Sequence, residues 1–291
     1  MSAPGVPAAA PRQLAALGHF VADQPLFVLG AALLAVVAIL AMLAPAIAPY
    51  APNAIDFGEK LKQPGWDHLM GTDSLGRDIF SRVLFGTQTS LMIGVSVLVV
   101  SMAIGVPIGL AAGYFGGRVD SILMRVADVF LAFPPLLLPI TITAMLGAGL
   151  FNAMMALAIS WFPWYARIVR ASVISIKSEA YISAARTLGL PTLRIILRHV
   201  LPNSYGPAIV QGSMDFGYAI LATASLSFIG IGARPPAIEW GLMVAEARST
   251  FLANWWTAAS PGAAIFLTVL AANLVGDGLR DILDPRSVRR D

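Results

Sequence analysis

The segment 71–78, Gly-Thr-Asp-Ser-Leu-Gly-Arg-Asp, has the glycine spacing of a phosphate-binding loop, in which backbone N–H groups surround a phosphate. The side chains that would complete this chemistry are absent. Arg77 stands where a lysine would contact phosphate, and Asp78 replaces the hydroxyl that would bind magnesium. The sequence therefore predicts no nucleotide site here, but a turn that leads into an amphipathic segment on a membrane surface.

Other residues with reactive side chains are few and scattered. The chain has no cysteine, and its histidines, His19, His68 and His199, are far apart. We therefore expect no metal site, no catalytic residue and no cofactor in this chain, so any ATP and magnesium must be bound by separate subunits. The basic residues do not form a stripe that would suit nucleic acid.

The composition indicates that any functional residue is positioned by membrane-spanning helices. Hydrophobic residues make up 57% of the chain, charged residues only 12%, and the mean hydropathy is +0.77. These values exclude an ordinary soluble domain and predict an all-α integral membrane protein. Six spans fit the apolar stretches, near residues 27–49, 91–114, 122–146, 150–167, 208–231 and 261–283. The first could instead be a signal peptide, because residues 46–48 resemble a cleavage site, but its apolar run is too long for one.

The distribution of positive charge predicts the orientation of these spans. If the N-terminus is cytoplasmic, thirteen Lys and Arg residues face the cytoplasm and six face outward. This asymmetry agrees with the positive-inside rule. Both termini are then expected to be cytoplasmic.

A basic, amphipathic segment follows the fourth span. We call residues 171–202 the knob. Gly189 and Pro191 predict the end of one short helix, and Thr192 is expected to cap a second helix that stops before Pro202. Such a helix-turn-helix does not cross a membrane and is suited to contact a soluble partner.

Small residues recur every four positions in the second span. Gly105, Gly109, Gly113 and Gly117 predict a helix face that packs closely on another helix. Both a fixed interface and a sliding seam are consistent with this ladder.

Asp215 is the acidic residue well inside a predicted span, where a charge costs about 2.5–3.5 kcal/mol on insertion scales. It is expected to line a pathway, where it would meet the amino group of a peptide, or to pair with a neighbouring subunit. In the outer loop 231–260, the adjacent Trp255 and Trp256 are expected to be interfacial anchors.

Five ordered segments resemble the dipeptide/oligopeptide/nickel-type permease subunit of ABC importers. The knob carries Ser183-Ala184-Ala185, Gly189 and Leu201-Pro202 at the spacing of the EAA motif of that family. The other segments are GTDSLGRD (71–78), GYFGGRVD (113–120), LSFIGIGARPP (226–236) and NLVGDGLRDILDPR (273–286).

The resemblance implies a methionine-importer-like permease fold with EAA-like coupling helices. It also implies partners: a second homologous permease, two cytoplasmic ATPase subunits and an extracytoplasmic binding protein, in the inner membrane of a bacterium. The expected division of the chain is a cytoplasmic tail (1–22), a first helix with an extracytoplasmic segment (23–86), a five-helix permease domain (87–285) and a cytoplasmic tail (286–291).

Two residues depart from the family pattern within the knob. Ser183 replaces the glutamate of the motif, and His199 stands at a position that is usually isoleucine. Relatives also carry a glutamate where this chain has Thr223, a second candidate for the pathway. A membrane-surface helix bound to anionic lipid remains an alternative for the knob.

The sequence thus favours a permease subunit of an ATP-driven importer for di- or oligopeptides. The same machine could import nickel chelates, glutathione or another small solute. An ion-coupled secondary transporter with Asp215 as the coupling acid is a distant alternative, since no inverted repeat is visible.

Overall fold

The computed structural model describes residues 24–283, so both predicted tails, 1–22 and 286–291, lie outside the described residues. The described part consists of helices and connecting loops, with a short 3-10 helix at Phe57–Glu59 and one isolated bridge between Thr72 and Asp78. The helices in chain order are α1 (Pro25–Ile47), α2 (Ile79–Phe115), α3 (Gly117–Leu131), α4 (Leu137–Leu146), α5 (Leu150–Lys177), α6 (Ala180–Thr187), α7 (Thr192–Ile195), α8 (Leu201–Ser204), α9 (Gly206–Ile229), α10 (Trp240–Ala247) and α11 (Trp256–Leu283).

Within the described residues, three helices are long and apolar enough to cross a membrane: α1, α2 and α11. Helices α5 and α9 have 28 and 24 residues, but they carry more polar residues. Helix α4 has 10 residues and rises only about 15 Å, too short to cross alone. The count of six spans therefore stays a prediction.

The third predicted span is wrong as a single helix. Helix α3 ends at Leu131 and α4 begins at Leu137, with Pro134 and Pro135 between them. Proline lacks the N–H that a continuing helix needs and restricts the residue before it, so the helix breaks here.

The second helix begins earlier than its apolar run suggested. Helix α2 has 37 residues and starts at Ile79, where the Asp78 carboxylate accepts a hydrogen bond of 2.7 Å from the Ser81 N–H. Ile79 and Arg82 are each 1% exposed. The amphipathic surface segment predicted at this point is therefore wrong, because both its apolar and its charged residues are covered by protein.

Glycine residues allow α2 to pack closely on α5. A Cβ added at Gly105 or Gly109 would lie 2.5 Å from the backbone oxygen of Phe162 or Ala166 on α5. At Gly113 it would lie 2.7 Å from the Val173 Cβ. The ladder ends there: Gly117 has φ +54, opens α3 and has no atom within 4 Å of an added Cβ.

The first helix is part of the packed structure. A Cβ at Gly30 would lie 2.6 Å from the Leu274 Cβ, and one at Gly278 would lie 2.5 Å from the Phe27 Cβ. Helices α1 and α11 are thus in close contact along their length. This packing favours a retained helix over a cleaved signal peptide.

Candidate functional site

The knob lies at the end of the long helices α2 and α5. Its residues 171–177 are the last turns of α5, and α6 follows after two residues. Gly189 adopts φ +73, and the Leu190 N–H donates to the Ala185 carbonyl at 3.2 Å. This left-handed glycine with its long return bond is a Schellman-type helix end. The predicted end of α6 is found.

The second half of the knob differs from the prediction. Pro191, not Thr192, precedes α7, and no side chain caps it. The helical path does not stop before Pro202 but continues through a π-turn, Ile196–Val200, into α8, which contains Pro202. A π-turn relocates the backbone hydrogen bonds by one residue, which accommodates a proline that cannot donate one.

The outer surface of the knob is apolar and rimmed by positive charge. Leu188 is 80% exposed, Leu193 66% and Leu197 53%. Arg186, Arg194 and Arg198 are exposed beside them. Large apolar side chains exposed together, with a polar rim, are typical of a protein-binding surface.

The motif residues of the knob divide between this surface and the interior. Ser183 and Ala184 are exposed, whereas Ala185 and Ile182 are buried against the ends of α2 and α5. Leu201 packs partly on the same cluster, and Pro202 is exposed. Only part of the expected contact motif therefore lies on the surface.

Tyr114, at the end of α2, joins the knob to the helices. The Lys177 ammonium donates a hydrogen bond of 2.5 Å to its backbone oxygen, and the Arg186 guanidinium lies 5.1 Å from its ring centroid. This geometry fits a cation–π contact. Tyr114 was not singled out from the sequence, although it lies within the GYFGGRVD segment.

A second site lies along α5 and α9. A cavity of about 280 Å³ is lined by Pro135, Trp161, Trp164, Gln211, Asp215 and Tyr218. The Tyr165 hydroxyl donates to Asp215 Oδ2 at 2.7 Å, and Gln211 Nε2 donates to Oδ1 at 2.9 Å. Asp215 is thus half-buried, oriented by two donors and open to a cavity.

Thr223 does not share this cavity. Its side chain is fully buried two turns further along α9, and its hydroxyl oxygen has no hydrogen-bond partner among the described residues. The two residues predicted for the pathway are not brought together. The aromatic residues around Asp215 were not predicted: Trp161 and Trp164 come from α5, and Tyr218 lies on α9 beside Asp215.

The end of the molecule opposite the knob contains the glycine loop 71–78. The backbone N–H groups of Leu75 and Arg77 donate to Asp73 Oδ1 at 2.8 and 3.0 Å. These two N–H groups are therefore taken by the loop's own carboxylate. The absence of a nucleotide site here stays a prediction, which agrees with the negative charge of Asp73 at these N–H groups.

Two buried arginines connect this loop to α10. Arg77 Nε and Arg82 Nη1 each donate to Asp73 Oδ2 at 2.6 Å. Arg77 Nη2 and Arg82 Nη2 donate to Glu246 Oε2 at 2.8 and 3.0 Å. We call these four residues the ionic cluster. It fixes the start of α2 to α10.

Two further residues are buried at this end: Glu239, which precedes α10, and Trp256, which begins α11. Glu239 is 1% exposed and accepts hydrogen bonds from the Gly241 and Leu242 N–H groups at 2.7 and 2.8 Å. Burial raises the pKa of its carboxyl above the ordinary value. Trp256 is 4% exposed and its Nε1 donates to the Thr72 carbonyl, so its predicted role as an interfacial anchor is wrong. Trp255 is 65% exposed.

Comparison with known proteins identifies the family. Residues 105–289 match the family described as binding-protein-dependent transport system inner membrane component. Residues 22–64 match the N-terminal TM domain of oligopeptide transport permease C. The chain belongs to this family of inner membrane transport permeases, as the sequence resemblance indicated.

Curated relatives extend over nearly the whole chain. The probable D,D-dipeptide transport system permease protein DdpC of Escherichia coli K12 is 44% identical over 91% of this chain and 89% of its own length. A putative peptide transport system permease of Brucella suis is 48% identical over 89% of this chain and 88% of its own length. The glutathione transport system permease GsiD of Pectobacterium atrosepticum is 48% identical over 82% of this chain and 79% of its own length.

Solved structures confirm the expected fold. An inward-facing conformation of the MetNI methionine ABC transporter superposes with a TM-score of 0.57 at 16% identity, over 70% of this chain and 97% of that chain. An amino acid ABC transporter with histidines gives a TM-score of 0.53 at 18% identity, over 70% of this chain and 95% of that chain. The methionine-importer-like fold is thus found in the described helices.

Proposed function

We propose that this chain is one of two permease subunits of an ATP-driven importer of di- or oligopeptides in a bacterial inner membrane. It pairs with a second, homologous permease and with two cytoplasmic ATPases, which bind ATP and magnesium. An extracytoplasmic binding protein delivers the substrate. The chain crosses the membrane six times, with both termini and the knob in the cytoplasm.

The observation that carries this proposal is the exposed apolar surface of the knob. Leu188 and Leu193 are held on short helices at the end of two tightly packed long ones, a position where burial in lipid would conflict with the surrounding arginines. An ATPase with an apolar cleft and an acidic rim would cover both features. Small, rigid helices also transmit force better than a flexible loop.

Peptides are favoured as substrates because the relatives above are named for peptide, dipeptide and glutathione transport. Glutathione is itself a small peptide, so it remains within the class. Nickel chelates are less favoured, because none of these relatives is named for nickel transport. An ion-coupled transporter would give the knob no partner.

The test is co-purification of the ATPases with Leu188→Asp. A charge in the centre of an apolar contact is expected to weaken ATPase retention by at least about tenfold, since burying an unpaired charge is costly. Leu252→Asp is the matched control, because Leu252 is 90% exposed but lies in the outer loop. Retention of the ATPases by Leu188→Asp at the level of the control would overturn the docking role of the knob.

The substrate class has its own test. The binding protein should be purified from cells and its bound ligand identified by mass spectrometry. Peptides in its cleft would support the proposal, and a metal chelate or sugar would contradict it.

A further inference from the structure

We propose that the cavity beside Asp215 is a subsite for the protonated amino group of the transported peptide. This inference rests on the proposed function and specifies which part of the substrate one surface of the pathway recognises. It is carried by three features of the cavity: an oriented carboxylate, an aromatic wall and a limited volume.

The carboxylate is held ready to accept a cation. Tyr165 and Gln211 each donate one hydrogen bond, to different oxygens of Asp215. An ionised carboxylate has about four acceptor positions, so each oxygen retains one. No Lys or Arg among the described residues forms an ion pair with Asp215, in contrast to Asp73, Asp120 and Asp128, which all do. Among residues 24–283, the Asp215 carboxylate therefore has no positively charged partner.

The aromatic wall favours the same ligand. The rings of Trp161 and Tyr218 are stacked, with centroids 5.2 Å apart and planes 16° from parallel. Trp164 is 54% exposed and stands at the edge of the cavity. Ring faces attract ammonium groups, and tryptophan does so most strongly. An anionic ligand would be repelled by the carboxylate, whereas an ammonium group is attracted both by the carboxylate and by the ring faces.

The position along the helices suits a pathway. Asp215 lies nine residues after the start of α9, about 14 Å along a helix of 24 residues. The site is therefore far from both ends of the helix. A peptide passing through the membrane would meet this carboxylate after leaving bulk water.

The volume limits what can enter. A cavity of about 280 Å³ admits the amino-terminal residue of a peptide but not a whole oligopeptide. An adjoining cavity of about 100 Å³ shares Pro135, Trp161 and Trp164 with it and is otherwise mostly apolar. The ammonium group would bind at Asp215 and the first side chain would extend into this neighbour.

The competing explanation is that a cation of the second permease pairs with Asp215. The experiment distinguishes the two. The complete transporter, without binding protein, is placed in lipid nanodiscs, and binding of radiolabelled dialanine is measured at equilibrium, with unlabelled N-acetyl-dialanine as competitor. Asp215→Asn removes the charge and keeps the shape. Asp128→Asn is the matched control, because Asp128 is an acid paired with Arg167 outside the cavity.

We expect Asp215→Asn to weaken dialanine binding about tenfold, since a hydrogen bond to a charged group is being replaced by one to a neutral amide. Asp215→Glu should recover part of the loss. N-acetyl-dialanine should compete poorly with the wild-type complex, because it lacks the ammonium group. Asp128→Asn should bind as the wild type does.

Three results would overturn the inference. One is equal competition by N-acetyl-dialanine and unlabelled dialanine. Another is dialanine binding that is as strong in Asp215→Asn as in the wild type, or that cannot be detected in the wild type. The third is loss of the second permease from purified Asp215→Asn complexes, which would assign the carboxylate to a subunit pair. If one of these results is found but the wild-type transporter still imports dialanine in proteoliposomes with binding protein present, the subsite is wrong and the proposed function stands. Failure to import any peptide would reject both.

Discussion

The packing of α2 on α5 gives the most direct test of the structure. Gly109→Ala adds one methyl group where a Cβ would lie 2.5 Å from the Ala166 backbone oxygen and 2.9 Å from the Val169 Cβ. Ordinary contact begins near 3.4 Å, so the helices must separate here by about 0.9 Å. The obstacle is backbone, which cannot rotate away as a flexible side chain would.

The expected cost follows from two opposing effects. Overpacking costs about 1–3 kcal/mol, and a clash with backbone belongs near the upper end. Alanine is favoured over glycine in a helix interior by about 1 kcal/mol. The separation would also loosen the contacts at Gly105 and Gly113, which belong to the same face. The net result is a loss of about 2 kcal/mol, and a fall in the melting temperature of about 5 °C.

Gly262→Ala is the matched control. Gly262 also lies inside a long helix, α11, but a Cβ there meets no atom within 4 Å. This variant is expected to be neutral or slightly stabilised through helix propensity alone. Melting of the purified chain in detergent micelles, followed by intrinsic fluorescence, measures both. Equal melting temperatures for the two variants would refute the close contact between α2 and α5.

Three other predictions concern the end opposite the knob. Glu246→Ala should lower the free energy of unfolding by about 3 kcal/mol, because Arg77 and Arg82 each lose a buried acceptor; a change below about 0.5 kcal/mol in a melting assay would contradict this. Burial raises the pKa of Glu239 above its ordinary value of 4.5. The protonated Glu239 side chain therefore contributes fully to the free energy of unfolding below pH 4.5, and this contribution is lost as the pH rises through the raised pKa. Glu239→Gln should therefore melt with a weaker pH dependence over that window, and an unchanged slope would count against the burial. Trp256→Ala should cost about 3–5 kcal/mol and Trp255→Ala less than about 0.5 kcal/mol, since only the first side chain is enclosed; similar losses would show that the two are equally packed.

Features with a local or periodic signal could be predicted from the sequence. The four-residue spacing of small residues predicted the face at Gly105, Gly109 and Gly113. Gly189 predicted the helix end that its φ of +73 produces. Spacing alone could not show that Gly117 belongs to the next helix. The chain changes direction through the positive φ angles of Gly116 and Gly117, and a regular four-residue spacing contains no information about these angles.

Features made by distant residues could not be predicted. The Arg82 and Glu246 side chains are 164 positions apart in the chain, and nothing in either segment identifies the other as its partner. Arg82 therefore resembled the polar side of a surface helix, although it is 1% exposed. The cavity around Asp215 was hidden for the same reason: Asp215 was identified by its charge, but Trp161 and Trp164 resembled ordinary apolar residues of another helix.

Helix α5 connects the two candidate sites physically. It carries Trp161, Trp164 and Tyr165 beside the cavity, and it ends at Lys177, only two residues before α6 begins. Tyr165 and Lys177 are twelve positions apart, about 18 Å along one uninterrupted helix. Since the glycine face of α2 locks on this same stretch, bending α5 locally would break backbone contacts at several levels. We therefore expect a displacement of the knob to move α2 and α5 together and to reach Asp215 through the Tyr165 hydroxyl that orients it.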